Sequence, residues 1–294
     1  MTQARPGVPL SMVRDRRAGW RAVWALILLE LALAVFDIGF GGPVGVERGT
    51  ASVPQAAPLR VLVVGDSVAE TFGLSLGIDA ARFGATLQVD AMLGCGVAVQ
   101  QANRSHGQAD DTIPPCNSST PASQQWPAQW TNWINEYRPQ VVLVLAGKWE
   151  TQDVELNGRW TSILQPDYAA EVRSRLDQAV QVGSAAGAHV DLLTSPCFDP
   201  GRQPNGKPSP ENSPARVAAY NRAVRAAAEA QPSRASVLDL NRLVCPAGKF
   251  HLFANGVQIR AVDGVHFPDS FSKILSSGMW LGPRIWPEIL GPDR

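Results

Sequence analysis

Five short runs of apolar residues on consecutive positions stand out along the chain: "LRVLVVG" (59–65), "TLQVDAM" (86–92), "QVVLVLAG" (140–147), "HVDLLTS" (189–195) and "ASVLDL" (235–240). Runs of this length with little polar alternation predict strands buried on both faces. The segments between them carry spaced apolar positions and predict helices at 68–83, 124–137, 167–187 and 213–230, with a last one at 269–281. Strands alternating with helices predict a parallel sheet with right-handed crossovers, hence one three-layer α/β domain. Two long stretches, 94–123 and 196–212, lack such patterning and are rich in Pro, Ser, Asn and Gly. Loops this long in a compact domain are usually functional or disordered. The chain has no internal repeat.

Before the first strand the pattern changes. Residues 1–21 are basic, with Arg5, Arg14, Arg16, Arg17 and Arg21, and "AVWALILLELALAVFDIGF" (22–40) follows. That run matches the roughly 20 residues a spanning helix needs, although Glu30 and Asp37 interrupt it. Each acid costs about 2.5–3.5 kcal/mol on insertion scales, and the eleven Leu, Ile, Val and Phe residues return about 0.3–0.6 each, so the balance is marginally favourable at best. In order of preference, the run reads as an uncleaved anchor, a signal peptide cleaved after Ala32-Leu33-Ala34, or an amphipathic surface helix. Residues 41–58, rich in Gly, Pro and Ala, read as a linker, and folding is expected over 59–294. The first two readings put that domain outside the cytoplasm, tethered to the membrane or, if residues 1–34 are removed, secreted.

The 26 basic and 26 acidic residues cancel, which argues against a nucleic-acid partner. Four cysteines, Cys95, Cys116, Cys197 and Cys245, include no C-x-x-C pair and so no zinc signature. Outside the cytoplasm they fit two disulfides. The pairing Cys95–Cys116 and Cys197–Cys245 is preferred over the other two, because each bond closes a polar loop between predicted elements.

The chemistry begins where the first run stops, at Gly65-Asp66-Ser67. In an open parallel sheet, ligands bind beyond the carboxyl ends of the strands. There, a glycine turn and the amide end of the next helix would favour a developing oxyanion at Ser67. Asp and Ser are also ordinary helix caps. A serine nucleophile needs a base, and the base an orienting partner. Among four histidines, His189 falls in a strand, and His106 and His251 lie in loops. His266 belongs to "AVDGVHFPDSFSK" with Asp263 three residues earlier, a spacing that can turn both side chains to one site.

A G-D-S after the first strand together with D-x-x-H before the last helix resembles the SGNH (GDSL-type) hydrolase superfamily over about residues 59–290. The resemblance implies a flavodoxin-like α/β/α sandwich, with Ser67 as nucleophile, His266 as base and Asp263 as its carboxylate, and no cofactor or metal. It also implies oxyanion donors: a glycine after the second strand, either Gly94 or Gly96 of "LGCGV", and an asparagine after the third. In place of the asparagine this chain has Trp149 in "GKWE", preceded by Lys148. An indole N–H can donate one hydrogen bond but is bulky. Trp149 could instead stack on a sugar or an acyl chain, or simply fill the core, and Lys148 could serve in another way.

The cysteine placement, the tryptophan variant and the C-terminal "GMWLGPRIWPEIL" with Trp280 and Trp286 are similar to SGNH domains associated with bacterial acyltransferase-three membrane proteins. That similarity implies an extracytoplasmic serine esterase or O-acyltransferase, moving an acetyl or short acyl group on an envelope glycan or glycolipid through a Ser67 acyl-enzyme. The expected partners are the acylated glycan or glycolipid, the membrane through the N-terminal run, and a membrane acyltransferase. The alternative is a catalytically weak domain that binds envelope carbohydrate or assists such an enzyme. A nucleotide-binding flavodoxin-type role is disfavoured because no G-x-G-x-x-G follows the first strand.

Overall fold

A computed structural model describes residues 57–98, 102–105, 108–111 and 118–291. The basic segment and the apolar run at 22–40 lie outside the described residues, as do His106 and Cys116. Within Ala56–Arg294, a compact unit by its internal contacts, the central sheet comprises β1 (Leu59–Gly65), β2 (Ala85–Ala91), β5 (Val141–Leu145), β8 (His189–Leu193) and β9 (Ala235–Leu238). Its order is β2-β1-β5-β8-β9, with every pair parallel. The chain direction therefore reverses its march across the sheet between β1 and β5, the point where such sheets open a crevice beyond their carboxyl ends.

Alternate residues of the strands face opposite layers. Leu62, Val64, Val142, Val144, Val190 and Leu192 pack with side chains of α2 (Trp126–Tyr137), α3 (Pro166–Ser184) and α4 (Pro214–Ala230). Val61, Val63, Val141, Leu143 and Leu145 pack against α1 (Ser67–Gly77), α5 (Leu240–Val244) and α6 (Phe271–Leu290). All eleven strand residues are 2% exposed or less, which is why their runs carry no polar alternation.

Three sequence expectations need correction. The helix expected at 68–83 ends at Gly77, and a separate 3₁₀ turn covers Ala80–Phe83. The last helix continues to Leu290 through Pro283 and Pro287, because Leu281, Ile285, Trp286 and Ile289 form a fully buried stripe beyond the expected end. The stretch 94–123, expected to be irregular, contains β3 (Ala102–Ser105) and β4 (Gln108–Asp111). These join β6 (Asp153–Leu156) and β7 (Arg159–Thr161) in an antiparallel sheet of order β4-β3-β6-β7. The β6–β7 turn is Asn157-Gly158, both at positive φ (52° and 73°), the two-residue hairpin that Asn-Gly favours. Asn255-Gly256 repeats the device between β10 (Phe253–Ala254) and β11 (Val257–Gln258).

Candidate active site

The turn after β1 is sterically fixed. Gly65 sits at φ 146°, and a Cβ there would collide with the carbonyl oxygen of Leu145 on the neighbouring strand. Asp66 is extended and caps α1, its Oδ1 accepting from the amides of Val68 (2.8 Å) and Ala69 (3.4 Å). Ser67 is thus the first residue of α1, at the carboxyl rim of the sheet. A helix N-terminus concentrates unpaired amides and positive potential there.

The opposite wall is the Asp263–His266 turn. Asp263 Oδ1 accepts from the amides of Val265 (2.8 Å) and His266 (3.0 Å), and its Oδ2 lies 2.6 Å from His266 Nδ1. His266 Nε2 lies 2.8 Å from Ser67 Oγ. With Nδ1–H donated to the carboxylate, Nε2 is left to accept the serine hydroxyl. Partial burial alone would raise the Asp263 carboxyl, but the bond from the His266 ring and the two amides outweigh it and hold the group below its usual range. The amide of Phe267 donates to Thr71 Oγ1 on α1 (3.1 Å), which ties this wall to the helix bearing Ser67.

Behind the turn lies a residue that sequence reasoning missed. Arg260 is fully buried, and its guanidinium donates to the carbonyls of Cys197 (2.9 Å), Val265 (2.6 Å) and, through Nε, His266 (3.3 Å). Phe198, Phe250 and Phe267 surround it, with ring centroids 5.0–5.9 Å away. Burial lowers its pKa to about 9, opposed only by the Asp263 charge. Gly264, at φ 73°, abuts the backbone of Asp199, whose amide donates to the Gly264 carbonyl (2.8 Å). The Cys197–Cys245 disulfide, expected from the sequence, anchors the same strand-end region. Cys95 is disulfide-bonded too, while its expected partner lies outside the described residues.

The other expected residues are distributed as follows. Gly94 adopts φ 80° in the loop after β2, and Gly96 lies against the carboxylate of Glu150 so closely that a Cβ would collide with it. Lys148 is buried and committed to Glu211, its Nζ donating to Oε1 at 2.8 Å. Trp149 is half-buried and its indole N–H, shielded from solvent, has no hydrogen-bond partner among the described residues. His189 Nε2 lies 3.0 Å from Ser236 Oγ on β9, a position inside the sheet and away from the rim. A cavity of about 500 Å³ lined by Phe198, Asp199, Asn212, Val217 and Phe250 holds none of the Ser67, His266 and Asp263 side chains. Asp199, which bonds to Gly264 of their turn, is among its lining residues. Among the described residues, no three His, Cys, Asp or Glu side chains are grouped to hold a metal ion.

Two more buried acids complete the site. Glu150 and Asp66 are both fully buried. Burial, then the neighbouring Glu150 charge, push Asp66 up to about 7 against the pull of its two capping amides and of Lys148. Burial likewise raises Glu150 despite the amides that bond to it. The sequence quoted both residues within motifs, but nothing in their local pattern marks them as buried.

The family described as "Protein of unknown function (DUF459)" matches residues 119–279, a span that includes Asp263 and His266 and starts after Ser67. No curated protein matches the sequence. Similar solved structures include the native aryl esterase of M. Smegmatis, at 16% identity over 77% of this chain and 98% of that one, TM-score 0.46. An alpha/beta hydrolase enzyme from the metagenome of Lake Arreo, Spain, is 16% identical over 79% and 98%, TM-score 0.44. The periplasmic domain of the Salmonella ser. Paratyphi A lipopolysaccharide acetyltransferase is 14% identical over 81% and 85%, TM-score 0.44. Hydrolases and an acetyltransferase domain are thus among the proteins this chain is similar to.

Proposed function

The chain belongs to the DUF459 family, and from its site we propose that it is a serine esterase or O-acyltransferase working through an acyl-enzyme on Ser67. One observation carries the reading: the continuous chain from Ser67 Oγ to His266 Nε2 (2.8 Å) and from His266 Nδ1 to Asp263 Oδ2 (2.6 Å). In this reading Ser67 Oγ attacks the ester carbonyl carbon as its proton passes to His266 Nε2. The tetrahedral intermediate then collapses, and the same proton goes to the leaving alcohol oxygen. Water or a sugar hydroxyl, deprotonated by His266, then attacks the acyl-enzyme and releases an acid or a new ester. Asp263 stays ionised and holds the imidazole in the tautomer this requires.

The disulfides at Cys197–Cys245 and at Cys95 favour an extracytoplasmic setting. With the apolar sequence run at 22–40, they support action at the cell envelope on an acylated glycan or glycolipid. Among the described residues, no helix is long and apolar enough to cross a membrane. Trp149 in the asparagine position favours a second reading, a carbohydrate-binding domain without turnover. The two part on one experiment with the full chain: fluorophosphonate labelling at Ser67 and hydrolysis of p-nitrophenyl acetate. Both activities are expected, and both are lost in Ser67→Ala and His266→Ala. A folded chain that neither labels nor hydrolyses overturns the enzymatic reading in favour of binding.

A further inference from the structure

The two strands that flank β1, namely β2 and β5, are followed by loops that both deliver amides to one fully buried carboxylate, that of Glu150. Its Oε1 accepts from the Ala98 amide (3.1 Å) and its Oε2 from the Gly147 amide (3.0 Å), and the amides of Val97 and of Glu150 itself also bond to it. The loop after β2 and the loop after β5, far apart in sequence, are therefore clamped on the same group. From the far side the first loop is pinned again, since Trp126 Nε1 donates to the Val97 carbonyl (2.7 Å). Gly96 rests on the carboxylate with no room for a Cβ.

This accounting bears on the oxyanion. In the loop after β2, the Cys95 amide is spent on the Met92 carbonyl (3.0 Å), and those of Val97 and Ala98 are spent on Glu150. Among the described residues, the amides of Gly94 and Gly96 have no backbone carbonyl partner. In the loop after β5, the Gly147 and Glu150 amides are likewise engaged. A carboxylate that gathers amides from both loops fixes where the remaining donors stand, although it cannot itself donate to an oxyanion.

We infer that Glu150 is a positioning residue. By clamping the loops after β2 and β5 it sets the Gly94 and Gly96 amides toward the tetrahedral adduct on Ser67, and so does part of the work that an asparagine side chain would otherwise do. The inference rests on the acyl-enzyme reading above. Glutamine at 150 keeps the shape but puts an NH₂ donor against an amide donor, which loosens one loop. Alanine at 96 pushes directly on the carboxylate.

The test uses the full chain with p-nitrophenyl acetate, an alkyl boronic acid as tetrahedral-adduct mimic, and fluorophosphonate titration to count active sites. Loss of one oxyanion donor costs roughly 100- to 1000-fold in rate, so Glu150→Gln and Gly96→Ala are each expected to lower kcat per titrated site by about 10- to 1000-fold. KM should move little, and the boronate inhibition constant should rise in step with the loss. Gly96→Ala should cost much less when made on Glu150→Ala, because the group it strikes is gone. A merely structural role lowers the number of titrated sites and leaves the boronate constant of the remaining sites unchanged, and that result overturns the inference. So does a Glu150→Gln chain with wild-type kcat. If Glu150→Gln does not fold, Gly96→Ala and its pairing with Glu150→Ala decide: additive losses overturn the proposal and a shared loss supports it. A wild-type chain that never labels overturns the acyl-enzyme reading itself, a result distinct from each of these.

Discussion

Replacing Asp66 with asparagine probes the buried carboxyl pair beneath the nucleophile. Burial and the Glu150 charge raise the Asp66 carboxyl from 3.8 to about 7, whereas in the unfolded chain it ionises near 4. Between about pH 4 and 7 the folded protein holds a proton that the unfolded chain has released. The unfolded state then binds fewer protons, so stability falls as pH rises through this window and levels above it. The full effect is on the order of 4 kcal/mol, comparable with a large share of a domain's net stability. Asparagine keeps an oxygen for the Val68 and Ala69 amides and caps about as well, but carries no charge. Carboxylates held low, such as Asp263 and Asp239, slope the other way in both proteins and cancel in the comparison. Urea unfolding followed by tryptophan fluorescence at pH 5, 6, 7 and 8 reads the difference. The variant should gain on the wild type by about 1 kcal/mol per pH unit between pH 5 and 7, with the gain levelling by pH 8. A difference that is flat with pH, or that shrinks as pH rises, would refute the buried, protonated Asp66.

Arg260→Met leaves three carbonyls without their donor and should destabilise the chain by about 3–5 kcal/mol, read by thermal unfolding; an unchanged Tm would mean that the cation is dispensable. Cys245→Ser opens a disulfide that spans 48 residues and should cost about 2–5 kcal/mol. Denaturation without reductant measures the loss, and a variant as stable as the wild type would show that the bond is not a staple.

The central sheet was legible chiefly because its inner strands β1, β5 and β8 are buried on both faces, whereas the edge strand β2 is mostly half-buried. A residue such as Val63 or Leu143 needs only to be apolar to reveal its place, and the five runs fall within about two residues of β1, β2, β5, β8 and β9. The antiparallel sheet was not found from the same pattern. Its strands are three or four residues long and mix Asp, Glu, Arg and Thr with single apolar positions such as Val154. The usable signal there was the Asn-Gly turn at 157–158, repeated at 255–256 in the separate β10–β11 hairpin, which specifies a hairpin by backbone conformation and not by hydrophobicity. The helix through Pro283 and Pro287 escaped for the opposite reason, since a buried apolar stripe outweighed the two lost hydrogen bonds.

At the candidate site, the Gly65-Asp66-Ser67 turn, the three-residue spacing of Asp263 and His266 and the family resemblance together formed the signature that picked out three side chains, which hydrogen bonds join in the structure. The groups that hold them have no such signature. A glutamate, an aspartate or an arginine in isolation reads as solvated surface, and burying one is costly unless its hydrogen bonds are met. For Arg260 the compensating carbonyls belong to residues 197, 265 and 266, and for Glu150 the amides belong to 97, 98 and 147 as well as its own. Each set exists only once distant segments have folded against one another, so a single position cannot advertise it. Both charges use backbone groups of loops at the rim, one behind His266 and one beneath Gly96. The charged residues hardest to foresee are therefore the ones that convert flexible loops into a fixed site, and a search for such sites in related chains should look for buried charges satisfied by backbone groups as well as for the reactive side chains.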